Sequence, residues 1–82
     1  MRVYVLNRSL INWETADNEN CWWVYDSEDK AKKALQKELE EFYEEYGKEF
    51  SYCHLSEDGM MASLEINEEI NFTLLITEEP VL

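Results

Sequence analysis

The feature that most constrains the fold of this chain is a change in its hydrophobic period. Between Ser27 and Gly47, apolar residues recur every three or four positions, which places them on one face of a helix. Asp26 or Ser27 can cap the start of this helix, and Gly47 can adopt the left-handed conformation that ends many helices. We therefore predict one helix of about five turns with a single buried face. Its apolar residues are Ala31, Ala34, Leu35, Leu39, Phe42, Tyr43 and Tyr46.

Segments on both sides of this helix follow the two-residue period of half-buried strands. Residues 2–6 and 21–25, before it, are rich in β-branched and aromatic side chains. After it, alternation along 50–55, 60–67 and 70–77 predicts a hairpin and a third strand. The prediction is an α+β fold, ββαβββ, with a mostly antiparallel sheet of about five strands and one long helix packed on one face. The other face is then solvated, or it is covered by a partner or a second copy.

Length and composition predict a single domain over residues 1–82. A chain of 82 residues has room for one core, because domains of this size bury only about 60% of the surface that the unfolded chain exposes. Cys21 and Cys53 are too few for a disulfide scaffold and lack the spacing of a zinc or redox pair. No apolar segment has the length of a signal peptide or a membrane span, so we expect a cytoplasmic protein.

The segment from Asn7 to Asn20 separates the first two predicted strands. Its 14 residues are polar and rich in asparagine, and they exceed the usual length of a connection. We expect a loop here that is either mobile or functional, and the residues alone do not decide between the two.

The net charge of the chain is −12, and the excess lies entirely in its second half. Acidic and basic side chains balance over residues 1–37, whereas residues 38–82 contain 13 acids and one base, Lys48. A field of this sign repels nucleic acids and anionic membranes and attracts basic protein surfaces. We therefore expect a basic protein surface as the partner, without direct binding of nucleic acid or membrane.

Carboxylates crowd the C-terminal half of the predicted helix, at spacings that bring neighbouring side chains within about 5 to 6 Å. Like charges at these spacings destabilise a helix by about 0.2–0.5 kcal/mol per pair, and the helix dipole disfavours acids at this end. Such a face is either a solvated surface or an electrostatic binding face. For a binding face the candidate residues are Glu38, Glu40, Glu41, Glu44, Glu45, Glu49, Glu57 and Asp58, together with Glu65, Glu68 and Glu69.

Five aromatic residues form a second group: Trp13, Trp22, Trp23, Tyr4 and Tyr25. Large aromatic side chains supply much of the burial available to a small domain, so we expect most of them in the core. Trp22 and Trp23 point to opposite sides of their strand, which leaves at least one large aromatic for the uncovered face. An exposed tryptophan is a typical contact residue, and Trp13 and Trp23 complete the candidate partner-binding set.

The residues predict no catalysis, no metal and no cofactor. His54 is the single histidine, and the neighbouring Cys53 points to the other side of the strand. Gly47 and Gly59 are the only glycines, so the chain has no phosphate-binding loop. Carboxylates are numerous enough to pair by chance, but so small a domain has little room for a pocket around them. We expect a protein that is not an enzyme, and a hydrolase is the least favoured alternative.

Two short segments resemble known sequences. Val3-Tyr4-Val5-Leu6 and Trp23-Val24-Tyr25-Asp26-Ser27-Glu28-Asp29-Lys30-Ala31 are similar to the strand and helix start of many small uncharacterised phage and prophage proteins. The resemblance implies an origin in a mobile element, where small acidic domains are often inhibitors of host defence such as anti-CRISPR or anti-restriction proteins. It carries no catalytic motif and assigns no role to a residue.

Two functions of different classes follow from these observations. The first is a small acidic protein-binding inhibitor that imitates nucleic-acid phosphates and occupies a basic groove of a nuclease or defence complex. Duplex DNA carries one charge per about 1.7 Å of its axis, so closely spaced carboxylates on a rigid helix are a plausible substitute. The second is a non-catalytic structural or assembly module that dimerises, or joins a complex, through the exposed sheet face.

Overall fold

The computed structural model describes residues 2–47 and 50–81, which form five strands and one helix in the predicted order. All five strands belong to one sheet with the order β2-β1-β5-β4-β3, and every pairing is antiparallel. The predicted α+β fold is confirmed. The elements are β1 Arg2–Asn12, β2 Asp17–Tyr25, α1 Glu28–Tyr46, β3 Tyr52–Leu55, β4 Met61–Ile66 and β5 Ile70–Pro80.

Local capping interactions define both ends of α1. The Ser27 hydroxyl accepts a hydrogen bond from the Lys30 backbone N–H at 3.2 Å, which caps the first turn. At the other end, the Gly47 N–H donates to the Tyr43 carbonyl at 2.8 Å. Gly47 has the expected positive φ, 83°, but its ψ of −166° lies in an extended region that is open almost only to glycine. No helix in the described part of the chain is long and apolar enough to cross a membrane.

The predicted apolar face of α1 packs on the sheet and forms the core. The ring of Phe42 stacks on that of Phe72, in the central strand β5, with centroids 4.2 Å apart and an interplanar angle of 5°. Tyr43 and Tyr46 pack at the margin of this core. Its buried residues are Leu6, Leu10, Ala31, Leu35, Leu39, Phe42, Ala62, Leu64, Phe72, Leu74 and Ile76.

The prediction of a long loop from Asn7 to Asn20 was wrong, because most of this segment belongs to a β-hairpin. β1 continues to Asn12 and β2 begins at Asp17, so the connection is a turn of four residues. The Asn12 side-chain oxygen accepts hydrogen bonds from the backbone N–H groups of Glu14 and Thr15, at 3.1 and 3.4 Å. β5 pairs with β1 along the whole length of β1. Backbone hydrogen bonds between the two strands therefore keep the polar residues 7–12 extended, although their side chains do not predict a strand.

Strand alternation divides the side chains between a face under α1 and an opposite face, which we call the open face. Leu6, Leu10, Phe72 and Leu74 are buried beneath α1, so their odd-numbered neighbours on β1 and β5 lie on the open face. Pairing extends this assignment across the sheet. The open face consists of Val3, Val5, Asn7, Ser9, Ile11, Asn18, Asn20, Trp22, Val24, Tyr52, His54, Met61, Ser63, Glu65, Asn71, Thr73, Leu75, Thr77 and Glu79.

Candidate protein-binding surface

Three chain segments meet at one end of the sheet, which we call the hairpin end. They are the β1–β2 turn (residues 13–16), the β4–β5 turn (residues 67–69) and the last turns of α1. The two β-turns are joined directly, because the Trp13 N–H donates to the Glu69 carbonyl at 2.7 Å. Acidic residues from distant parts of the sequence therefore share one region of the surface.

A cleft of about 260 Å³ lies between the end of α1 and the hairpin, lined in part by Arg8, Asp17, Glu19, Glu45 and Tyr46. Burial raises the pKa of Tyr46, and the charges of Glu45, Glu19 and Asp17 raise it further. Among the residues described, no three acidic, histidine or cysteine side chains are arranged to hold a metal ion. Three carboxylates and one basic side chain line the cleft, so its net charge is negative.

Few carboxylates at the hairpin end are neutralised by a basic side chain. Arg8 lies 3.4 Å from Glu38 (Nε to Oε2) and 3.5 Å from Glu19 (Nη1 to Oε2). The other acids at this end form no ion pair with a basic residue in the described ranges. These are Glu14, Asp17, Glu40, Glu41, Glu44, Glu45, Glu68 and Glu69.

Ion pairs are concentrated instead at the opposite end of the strands and around the start of α1. There Lys30 binds Asp26 at 2.9 Å, and Lys32 binds Glu28 at 3.4 Å. Arg2 binds Glu78, also at 3.4 Å. The described part of the chain is therefore polarised along the strand direction, with most of its unpaired carboxylates at the hairpin end.

The structure divides the predicted helix glutamates into two groups. Glu40, Glu41, Glu44 and Glu45 are exposed on the last turns of α1. Glu38 has a side chain only 22% exposed, and it is held by Arg8. The first four are exposed to solvent, whereas the Glu38 side chain is held in a contact within the chain.

Glu57 and Asp58 do not join this acidic surface. They lie in the β3–β4 turn, which is close to Lys32 in the first half of α1. A Cβ atom added to Gly59 of this turn would be 3.8 Å from the Lys32 side chain. Lys32 lies about 18 Å from Glu44 along the helix axis. A hydrogen bond with Ser56 and the Met60 N–H lower the pKa of Asp58, with a smaller contribution from Lys32. Glu49 lies outside the described residues.

The expectation that most of the five aromatics are core residues was wrong for the three tryptophans, whereas Tyr4 and Tyr25 are partly buried and pack against the core. The exposed fractions are 64% for Trp13, 67% for Trp22 and 37% for Trp23. Leucine and phenylalanine side chains of α1, β1, β4 and β5 fill the core, while β2 lies at the sheet edge with almost every residue exposed. Trp13 sits at the hairpin end beside a recess of about 250 Å³, lined by Ile11, Asn12, Ala16, Asp17 and Asn18 as well as the indole.

Sequence reasoning missed the contribution of Glu14, Asp17 and Glu19 to the acidic surface. These residues belong to the half of the chain in which acids and bases balance, and their position was assigned to a loop. The run Asn12-Trp13-Glu14-Thr15-Ala16-Asp17 has the asparagine and acidic residues of a tight turn. That signal was present, but it was too weak to establish a hairpin.

Cys53 and His54 are both exposed on the edge strand β3. The register puts His54 opposite Ser63 on the open face and Cys53 opposite Leu64 on the helix side, so the two side chains diverge.

Comparisons with protein-family models, with curated proteins and with solved structures found no match.

Proposed function

We propose that this protein is a small acidic protein-binding inhibitor whose hairpin end occupies a basic, nucleic-acid-binding surface of another protein. The observation that carries the proposal is the separation of paired from unpaired carboxylates. Eight acids at the hairpin end have no basic partner within the described chain. Scattered or internally neutralised acids would not support this function.

The local energetics support a role for these charges beyond solvation. The pairs Glu40 with Glu44 and Glu41 with Glu45 each disfavour the helix by about 0.2–0.5 kcal/mol. The last turn of α1 contains no basic residue, although the helix dipole favours one there. A basic partner relieves this repulsion when it binds, so part of the binding free energy comes from charges that oppose folding.

The partner that fits this surface presents lysine and arginine in a groove shaped for phosphates, as in a nuclease or a defence complex. Carboxylates on a rigid helix and two joined turns substitute for the regularly spaced charges of a nucleic acid. Trp13 offers an exposed indole next to the acids, on which an arginine can stack. Such an interface forms rapidly and weakens as salt is added.

Two matched double variants test the proposal. Glu44→Gln with Glu45→Gln removes two unpaired charges at the hairpin end, and Asp29→Asn with Glu79→Gln removes two from the other end. Each immobilised protein captures proteins from a cell lysate at low salt, and a salt gradient then elutes them. We expect the partner to be retained by the wild type and by the Asp29/Glu79 variant, and to elute at lower salt from the Glu44/Glu45 variant.

Competition with duplex DNA distinguishes a nucleic-acid mimic from a general cation binder. Because mimic and DNA occupy the same basic surface, duplex DNA should release the captured protein at a salt concentration that alone does not. Retention that is unaffected by DNA, or equal for both double variants, would contradict the proposal.

The open face favours a second candidate function, that of an assembly module. α1 covers the other side of the sheet, and the open face exposes Trp22, Val24, Leu75 and Tyr52. Its acidic residues are Glu65 and Glu79, and none of its positions holds a lysine or arginine. Under this alternative, the Glu44/Glu45 variant assembles as the wild type does.

A further inference from the structure

The edge strand β2 carries a feature that binding at the hairpin end does not use. Its nine residues form one border of the sheet, and β1 is its only partner in the described chain. The backbone groups on its outer side are therefore free to pair with another strand. The other border, β3, has only four residues.

Residues 21–25 of β2 lack the features by which proteins usually prevent edge-to-edge pairing. β2 contains no lysine and no proline, and its uninterrupted register with β1 leaves no bulge. Its acids, Asp17 and Glu19, lie in the half near the hairpin end. The other half, residues 21–25, is uncharged and includes Trp22 and Val24, which are 67% and 60% exposed, and Trp23, which is 37% exposed.

We propose that β2 pairs antiparallel with β2 of a second copy of the chain, with Trp23 opposite Trp23 of that copy, so that two five-stranded sheets join into one. In this register Cys21 lies opposite Tyr25 and Trp22 opposite Val24. Each uncharged segment thus meets an identical uncharged segment. The inference does not rest on the proposed inhibitor function, because it concerns a different surface.

Charge restricts the register in which a second copy can bind. Two chains of net charge −12 repel each other, so they can associate only where the contact is uncharged and the acidic regions stay apart. Antiparallel pairing through Trp23 directs the two hairpin ends away from each other and separates the Asp17 residues by about 40 Å. This distance is several Debye lengths, each about 8 Å at physiological salt.

Other registers and occupants fit these charges less well. Pairing centred on Cys21 lengthens the contact, but it places Glu19 opposite Trp23 and Asp17 opposite Tyr25, and it shortens the Asp17 separation to about 26 Å. A basic partner finds no charge to bind along residues 21–25, whereas the hairpin end offers many. The uncharged segment is therefore best matched by itself.

The first test measures the mass of the purified full chain in solution at about 10 and about 500 μM. We expect a dimer at the higher concentration. Val24→Lys places a charge on the edge strand and should raise the dimer dissociation constant at least about tenfold. The control, Leu75→Lys, places the same charge on the same open face but in the interior strand β5, and it should leave the dimer intact.

Each result of this test decides the question. A wild type that is monomeric at both concentrations overturns the proposal. A dimer that survives Val24→Lys also overturns it. Dissociation by Leu75→Lys as well as Val24→Lys replaces the edge contact with packing between open faces, and circular dichroism establishes that each variant is folded.

Disulfide cross-linking tests the register directly. In a chain with Cys21→Ser and Cys53→Ser, a Trp23→Cys substitution places two thiols opposite each other, with Cβ atoms about 4.5–5.5 Å apart, so oxidation should give a covalent dimer. The control chain keeps Cys21 and carries only Cys53→Ser. Its two Cys21 residues are offset by about 13 Å and should not cross-link. Cross-linking of both chains, or of neither, overturns the register.

Discussion

Arg8 is expected to contribute more to stability than any other charged residue in the described chain. Its side chain is 19% exposed and lies between Glu38 and Glu19, with the guanidinium carbon 5.3 Å from the Phe72 ring centroid. The Arg8 Nε is buried and makes no hydrogen bond to a described residue, so its attraction to Glu38 at 3.4 Å is mainly Coulombic. Removing the guanidinium leaves Glu38 largely buried without a counter-charge.

The expected cost follows from the burial of this pair. Breaking a fully buried ion pair costs about 3–5 kcal/mol. Because the Glu38 side chain is 22% exposed, water screens its charge and the expected cost falls to about 2 kcal/mol. The contact with the Phe72 ring adds about 1 kcal/mol. Arg8→Met keeps most of the aliphatic stem, so it should lower the free energy of unfolding by about 3 kcal/mol, out of about 4–12 kcal/mol for a chain of this length.

Urea unfolding of a double-mutant cycle measures this effect. With an m-value of about 1 kcal/mol per M, Arg8→Met should lower the midpoint by about 3 M. Adding Glu38→Gln removes the stranded charge and should recover about 1–2 kcal/mol. The control, Arg2→Met, breaks an exposed pair with Glu78 and should cost less than about 1 kcal/mol. A double variant no more stable than Arg8→Met, or an Arg2→Met variant equally unstable, would refute the reasoning.

Two further predictions concern the remaining charges and the tryptophans. The pKa of Asp58 is lowered in the folded state, so its carboxylate stabilises the fold above its ordinary value of 3.8, and this contribution is lost as the pH falls through the lowered value. In urea unfolding, the free energy of unfolding of Asp58→Asn should therefore fall less than that of the wild type between about pH 6 and about pH 3. An equal fall in the two proteins would contradict the lowered pKa. In single-tryptophan variants, the ratio of Cs⁺ to I⁻ quenching, each taken relative to free tryptophan, should be high for Trp13, because Trp13 lies among acids without a basic partner in the described chain. Trp22 on the charge-poor open face should give a lower ratio, and equal ratios for the two tryptophans would count against the polarity.

Much of the fold could be predicted because its signals are local. Ser27, Gly47 and the apolar positions between them specify α1 through backbone capping and a period of 3.6 residues, both of which act within a few turns. The alternation that predicts β4 and β5 is equally local. The acidity of the chain is also set by the sequence. The helical period likewise predicts that glutamates near the end of α1 are exposed, as the structure shows.

The part of the acidic surface that sequence reasoning missed depends on contacts between distant residues. Asp17 and Glu19 join Glu45 only because β2 folds back along β1 beneath the end of α1. Glu38 was predicted to be available, but Arg8 reaches it from the sheet. Glu57 and Asp58 were predicted to share the acidic surface, but their turn lies near Lys32.

The sequence by itself therefore determined which segments are helical or extended, which side of α1 is buried and how much negative charge the chain carries. The tertiary structure alone decided which of the described carboxylates remain unpaired, that the tryptophans are exposed and which strand forms the long edge of the sheet. The physical reason is that period and capping act between neighbours in the chain. Ion pairing, burial of a tryptophan and the position of a strand in a sheet depend instead on neighbours in space.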